Sequence, residues 1–310
     1  MTQANRVAAG IVSVAAGTAL ALWTTRNLRQ AHHASAEGKH VAAARAFNHG
    51  SALLALSTLA DSAMEHYRGD FENRAMYLAP SVALCSLAAA LHGGADQRAY
   101  SHRLRHAIQI GSAATGTAGT AFHLYNVTKR PGALSWHNLF YAAPLGAPFA
   151  LLLSGVLGAV AEQLRDQPEH DPRLFGMPAG KALALVAGVG LFGTAAEAAL
   201  LHFRGAYQHP AMYAPVTIAP VGAALLMHAA LAPPAQAARA SAFARLWLRI
   251  TTALGFAGAG FHAQGVARAQ GGWRNWSQNL FAGPPLPAPP SFSALALAGL
   301  AALRMRETER

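Results

Sequence analysis

Acidic residues are scarce: 13 Asp and Glu stand against 24 Lys and Arg in 310 residues. Charged residues of both signs make up 12% of the chain, about half the 25% usual for a soluble domain. Too little charge is present to cover a water-facing surface of this size. A disordered chain is excluded too, since 53% of the residues are hydrophobic. Cysteine is nearly absent. Cys85 is the one example, so an internal disulfide, a cysteine-rich zinc site and a thiolate iron–sulfur cluster are ruled out. The sequence also has no G-x-S-x-G, no H-E-x-x-H and no phosphate-cradling glycine loop, which removes the commonest hydrolase and nucleotide-transfer chemistries.

Long apolar runs are what the chain does have, with a mean hydropathy of +0.23. A membrane helix needs roughly 20 mainly apolar residues. Nine runs qualify, near 7–25, 46–66, 76–92, 107–126, 141–163, 182–203, 211–231, 248–267 and 288–304. Many are rich in Ala and Gly, which let helices approach closely. The net charge of +11 would point to nucleic acid in a soluble protein. Here the basic residues lie in clusters between apolar runs, as topogenic charge does, and no nucleic-acid partner is expected. Alternate connections hold 16 and 8 basic residues. The positive-inside rule therefore sets the N-terminus outside and the C-terminus in the cytoplasm of a bacterial-type inner membrane. Arg26 and Arg29 follow the first run while only Arg6 precedes it, so that run reads as a retained helix and not a cleaved signal.

The chain also repeats itself. ADSAMEHYRGDFENRAMY (60–77) and AEAALLHFRGAYQHPAMY (196–213) share eight of eighteen positions at an offset of 136. His92 then aligns with His228. At an offset of 139, Gly116, Gly119, Phe122 and His123 match Gly255, Gly258, Phe261 and His262. At an offset of 141, NLFYAAPLGAP (138–148) matches NLFAGPPLPAP (279–289). The expected architecture is thus all-α: a polytopic integral membrane protein of about nine transmembrane helices, with two tandem parallel four-helix repeats after one N-terminal helix. The boundaries are 1–45 for that helix and its basic loop, 46–170 for the first repeat and 171–310 for the second. Each repeat has an even number of spans, so the two run in the same sense.

Matched polar residues concentrate at the outer ends of the spans. His66 and His202 end one pair of helices; His123 and His262 end another. Arg68 and Arg204 follow the first pair, where a cation suits a helix C-terminus and could also meet an anionic ligand. Gly69 and Gly205 are placed to make the turn beyond it. Trp136, Tyr141, Trp273 and Trp276 fit an interfacial aromatic belt. The apolar runs carry Asp61, Glu65 and Glu197, with Asp61 aligned to Glu197. Buried acids of this kind face the bundle or a cavity. The centre of the bundle otherwise reads as almost wholly apolar.

Three functions compete on these residues. In the first, a periplasm-facing redox subunit holds haem b through the pairs His66/His123 and His202/His262, with Arg68 and Arg204 toward the propionates. In the second, a small-solute or ion transporter uses Asp61 and Glu197 within parallel repeats. In the third, a non-catalytic anchor in the lipid bilayer docks a periplasmic protein on its outer loops.

Overall fold

The computed structural model describes residues 38–141, 144–307 and 309. The expected first span, 7–25, lies outside them. The described chain is almost wholly α-helical. Eight long helices follow in order: α1 (Lys39–Arg68), α2 (Leu78–Ala95), α3 (Arg103–Thr128), α5 (Gly146–Arg165), α6 (Ala179–Arg204), α7 (Tyr213–Leu231), α8 (Pro234–Arg268) and α10 (Pro290–Arg306). Two short helices, α4 (Trp136–Tyr141) and α9 (Trp276–Ala282), precede α5 and α10. A small antiparallel hairpin, β1 (Arg173–Leu174) with β2 (Met177–Pro178), connects α5 to α6.

The segments Arg74–Ala95, Gly146–Arg165, Ala179–Arg204 and Pro210–Leu231 are long and apolar enough to cross a membrane. A chain with four such helices is a membrane protein. Their flanks agree, since Leu84, Leu91, Val189 and Phe192 are exposed along these helices.

Packing follows one order twice. In the first set of helices, α1 and α3 each pack on α2 and α5, so they sit across the bundle from one another. In the second set, α6 and α8 each pack on α7 and α10. The sets join mainly through α1 against α10, with a smaller contact of α5 against α6. The core at the junction is small-residue packing around Phe47, Leu54, Leu157, Leu183, Leu191 and Leu295. We call the end where α1 and α6 finish the upper end.

Small residues set the helix separations, as the Ala- and Gly-rich sequence predicts. A Cβ on Gly116 would lie 2.2 Å from the Leu152 nitrogen, and one on Gly155 would lie 2.3 Å from the Ala113 nitrogen. Backbone cannot yield as a flexible side chain can. Gly155→Val is therefore expected to cost at least about 2 kcal/mol. Gly111, also on α3, meets nothing within 4 Å, so Gly111→Ala should leave stability unchanged or raise it slightly. Thermal unfolding of both variants in detergent checks the contrast.

Candidate functional site

The upper end is built from two strained connections. After α1, the chain turns through Asp70 (φ +52°) and Phe71 (φ +48°); after α6 it turns through Ala206 (φ +55°) and Tyr207 (φ +46°). Gly69 and Gly205 have negative φ (−92° and −79°), and the left-handed positions fall on the non-glycine residues that follow. Aromatic stacking and histidine hydrogen bonds hold that geometry. Phe71 stacks on Tyr77 at 4.2 Å and Tyr207 on Tyr213 at 4.5 Å. The rings of His66 and His202 meet Phe71 and Tyr207 edge-on at 6.1 and 6.2 Å.

The four matched histidines of the upper end make one kind of bond. Nδ1 of His66 pairs with the Met76 carbonyl at 2.5 Å, and Nδ1 of His202 with the Met212 carbonyl at 2.7 Å. Nδ1 of His123 pairs with the Pro144 carbonyl at 2.6 Å, and Nδ1 of His262 with the Pro285 carbonyl at 2.7 Å. A carbonyl can only accept, so in each case Nδ1 carries the proton and the neutral ring keeps its lone pair on Nε2. This second bond is the one that orients a metal-ligating histidine. His202 and His262, on α6 and α8, line one cavity at this end.

The arginines cross between the two sets. Arg68 donates to the Phe281 carbonyl at 2.7 Å and pairs with Glu65 at 2.8 Å. Arg204 donates to the Phe140 carbonyl at 3.1 Å and lies over the Tyr141 ring. Tyr67 stacks on Phe281, and Phe203 on Phe140, in the same reciprocal way. Both helix ends thus clasp the opposite set's loop. Trp136, Trp273, Trp276 and Tyr141 are exposed at this end.

Two further loops repeat the pattern. Asn138 donates to the Pro131 and Ala133 carbonyls, and Asn279 to those of Gln270 and Gly272. Ala133 stands at φ +44° where its counterpart Gly272 stands at φ +53°. A side chain in that region is strained by about 1–2 kcal/mol, partly offset by glycine's freedom in the unfolded chain. Ala133→Gly is therefore expected to stabilise by up to about 1 kcal/mol, read as a rise in Tm.

Between the sets, the upper end encloses a cavity of about 930 Å³, toward the top of the range for ligand pockets. His202, His262, Arg68, Arg204, Asp61, Glu65 and Glu197 line it. His66 and His123 are not among its lining residues. The aligned acids are anchored differently. Glu197 accepts from the Gly146 nitrogen at 3.2 Å, at the positive start of α5. The residue matching Gly146 is Pro287, which has no N–H to offer Asp61; Ser57 donates instead to the Pro287 carbonyl. Among the described residues, no group of three or more His, Cys, Asp or Glu is arranged to hold a metal ion.

Sequence reasoning missed a second charged assembly, at the lower end. Glu162 is fully buried in α5. Arg105 donates to both its carboxylate oxygens, at 3.0 and 2.9 Å, and the backbone N–H of His102 adds a bond of 2.8 Å. Arg105 also reaches Asp96 at 2.6 Å. Arg165 approaches Glu162 at 3.6 Å and donates to the carbonyls of Gly93, Asp96 and Arg98. Hydrogen bonds from Arg98, opposed by burial and aided by Arg105, hold the Asp96 carboxyl well below the usual carboxylate range. A depressed acid stabilises fully above that range, and the contribution declines as pH falls through and below it. One signal was available: Arg165 matches Arg306 at the repeat offset of 141, and Arg306 donates to the Ala232 carbonyl just as Arg165 does to that of Asp96.

No protein-family model, no curated protein and no solved structure matches the chain.

Proposed function

We propose that this chain is a membrane-embedded subunit of a redox system, holding haem b in the upper cavity through Nε2 of His202 and His262. One observation carries the reading: Nδ1 of each of the four upper-end matched histidines is committed to a backbone carbonyl, which leaves Nε2 as the coordinating nitrogen. Haem bound there would supply one-electron transfer. Arg68 and Arg204 line the same cavity and suit its propionates. His66 and His123 repeat the nitrogen arrangement across the first set and are the candidate second site.

The reading includes a tandem duplication with eight described spans and the upper end facing outward. It is supported by the repeated hydrogen bonds, the repeated left-handed turns and the repeated packing order. On that orientation the exposed aromatics of the upper loops would serve a soluble electron-transfer partner.

The test is an absorption spectrum of detergent-purified protein, expressed with haem available, oxidised and then dithionite-reduced. Sharp reduced bands of b-type haem, with one or two haems per chain, are expected. A featureless spectrum refutes the proposal.

A second reading, passage of a small solute, is favoured by Asp61 and Glu197 in the cavity wall. It requires that a solute raise the Tm of the protein and that Asp61→Asn with Glu197→Gln remove the rise. A screen of small ions and metabolites that moves no Tm counts against it.

A further inference from the structure

The two sets differ in one respect that the haem proposal does not use. Polar side chains run along the interior of the first set, and their counterparts in the second are apolar. Asn48 lies within 3.5 Å of Glu162. Ser51 donates to the Ser154 carbonyl at 2.8 Å, with its Oγ 3.2 Å from that of Ser154. Ser154 lies 3.0 Å from Ser86, which donates to Gln109 at 2.8 Å. Higher on α1, Ser57 meets Ser291 of α10 at 3.2 Å. Asp61 then lines the cavity. At the repeat offsets, Asn48, Ser51, Ser86, Gln109, Ser154 and Glu162 correspond to Ala184, Ala187, Gly222, Leu248, Leu295 and Leu303. The packing supports the pairing: Gln109 lies over Gly158, and Leu248 over Gly299.

We propose that this column conducts protons between the lower end and the upper cavity, with Asp61 at its head. Ser51, Ser86, Gln109 and Ser154 are all at most 1% exposed, which leaves no room for a hydrated metal ion. Hydroxyls both donate and accept, so a chain of them can pass a proton by reorienting. Polar groups in a membrane interior typically mark such relays. The column has two breaks, one from Asn48 to Ser51, a single helical turn, and one from Ser51 to Ser57, about 9 Å along α1, both of which ordered water must bridge. Two hydroxyls just above the second break could hold water. The hydroxyls of Thr58 and Ser62 are buried without a hydrogen-bond partner, and both residues are at most 3% exposed. Buried hydroxyls of that kind are ordinarily satisfied by water. The first set's serines also donate to carbonyls, Ser51 to Ser154 and Ser154 to Ser51, but their hydroxyls approach one another as well, whereas Thr251 and Thr252 bond back to their helix and Ser293 bonds to the Thr252 carbonyl.

The experiment uses the full chain in liposomes holding a pH-sensitive dye, with a potassium diffusion potential to drive protons inward. Proton flux well above protein-free vesicles is expected. Ser51→Ala with Gln109→Leu installs the counterparts already accommodated in the second set. It should lower the flux about tenfold, equivalent to about 1.4 kcal/mol of barrier. Thr251→Ala with Ser293→Ala should leave it unchanged. Flux at the protein-free level, or equal flux from the Ser51/Gln109 variant, overturns the proposal and makes the column hydrogen-bonding glue between helices. If that variant fails to fold, Asp61→Asn replaces it with the same expected loss, and equal flux overturns the proposal again. The measurement needs no haem, so its failure and that of the spectrum are separate results.

Discussion

Glu162→Leu should be among the most destabilising single substitutions in this protein, at about 3–5 kcal/mol. The carboxylate is fully buried and is the shared partner of Arg105 and Arg165. Removing it leaves Arg105 with Asp96 alone and Arg165 with backbone carbonyls alone. A buried cation that loses its counter-charge keeps its desolvation cost. The second set shows how the cost is avoided. The counterparts of Asp96, Arg105 and Glu162 are Ala232, Ala244 and Leu303, all buried, while the counterpart of Arg165 is kept as Arg306, which has its own carboxylate partner in Glu309 at 3.1 Å. Glu162→Leu combined with Arg105→Ala should therefore recover part of the loss, because Arg105 is no longer a buried cation without Glu162, while Arg165 still keeps only its backbone carbonyls. Thermal or denaturant unfolding in detergent measures both. A double variant that is merely the sum of two severe single losses would refute the coupling.

The second large effect concerns the cavity histidines. His202→Gln and His262→Gln should each abolish the low-spin bis-histidine haem signal of the upper cavity. Glutamine keeps an N–H for the carbonyl of Met212 or Pro285 but supplies no imidazole nitrogen. The loop contact is thereby separated from ligation. His66→Gln, in the other pair, should leave the cavity component in place. Loss of haem in the first two variants, with an unchanged elution profile and little change in Tm, assigns the histidines to ligation. Retained haem in both would reduce them to residues that pin the turns after α6 and α8.

How much of this was legible beforehand follows from which interactions are local. The four helices apolar and long enough to cross a membrane fall on runs visible in the sequence, because a run of about 20 apolar residues has few alternatives to a membrane helix. Pairing of His66 with His202 and of His123 with His262 was visible because the repeat carries rare residue types in order. Glu162 was overlooked within an apolar run, since nothing local distinguishes a buried acid from a misplaced one. Its partners Arg105 and Arg165 are set 57 residues before it and one helical turn after it. Ser51, Ser86, Gln109 and Ser154 were passed over for the same reason: each is unremarkable alone, and they become a column only when α1, α2, α3 and α5 pack together.

The sequence by itself determined that the chain is helical and belongs in a membrane. Hydropathy and helix-compatible small residues act along the chain and need no partner. It also determined which residues recur. Only the tertiary structure decided that Arg68 and Arg204 cross to the opposite set, and that His202 and His262 share a cavity with Asp61 while His66 and His123 do not line it. It alone decided that the strained φ values fall on Asp70, Phe71, Ala206 and Tyr207 and not on the neighbouring glycines. Those outcomes depend on contacts between segments far apart in the chain, where packing, not local preference, chooses the geometry.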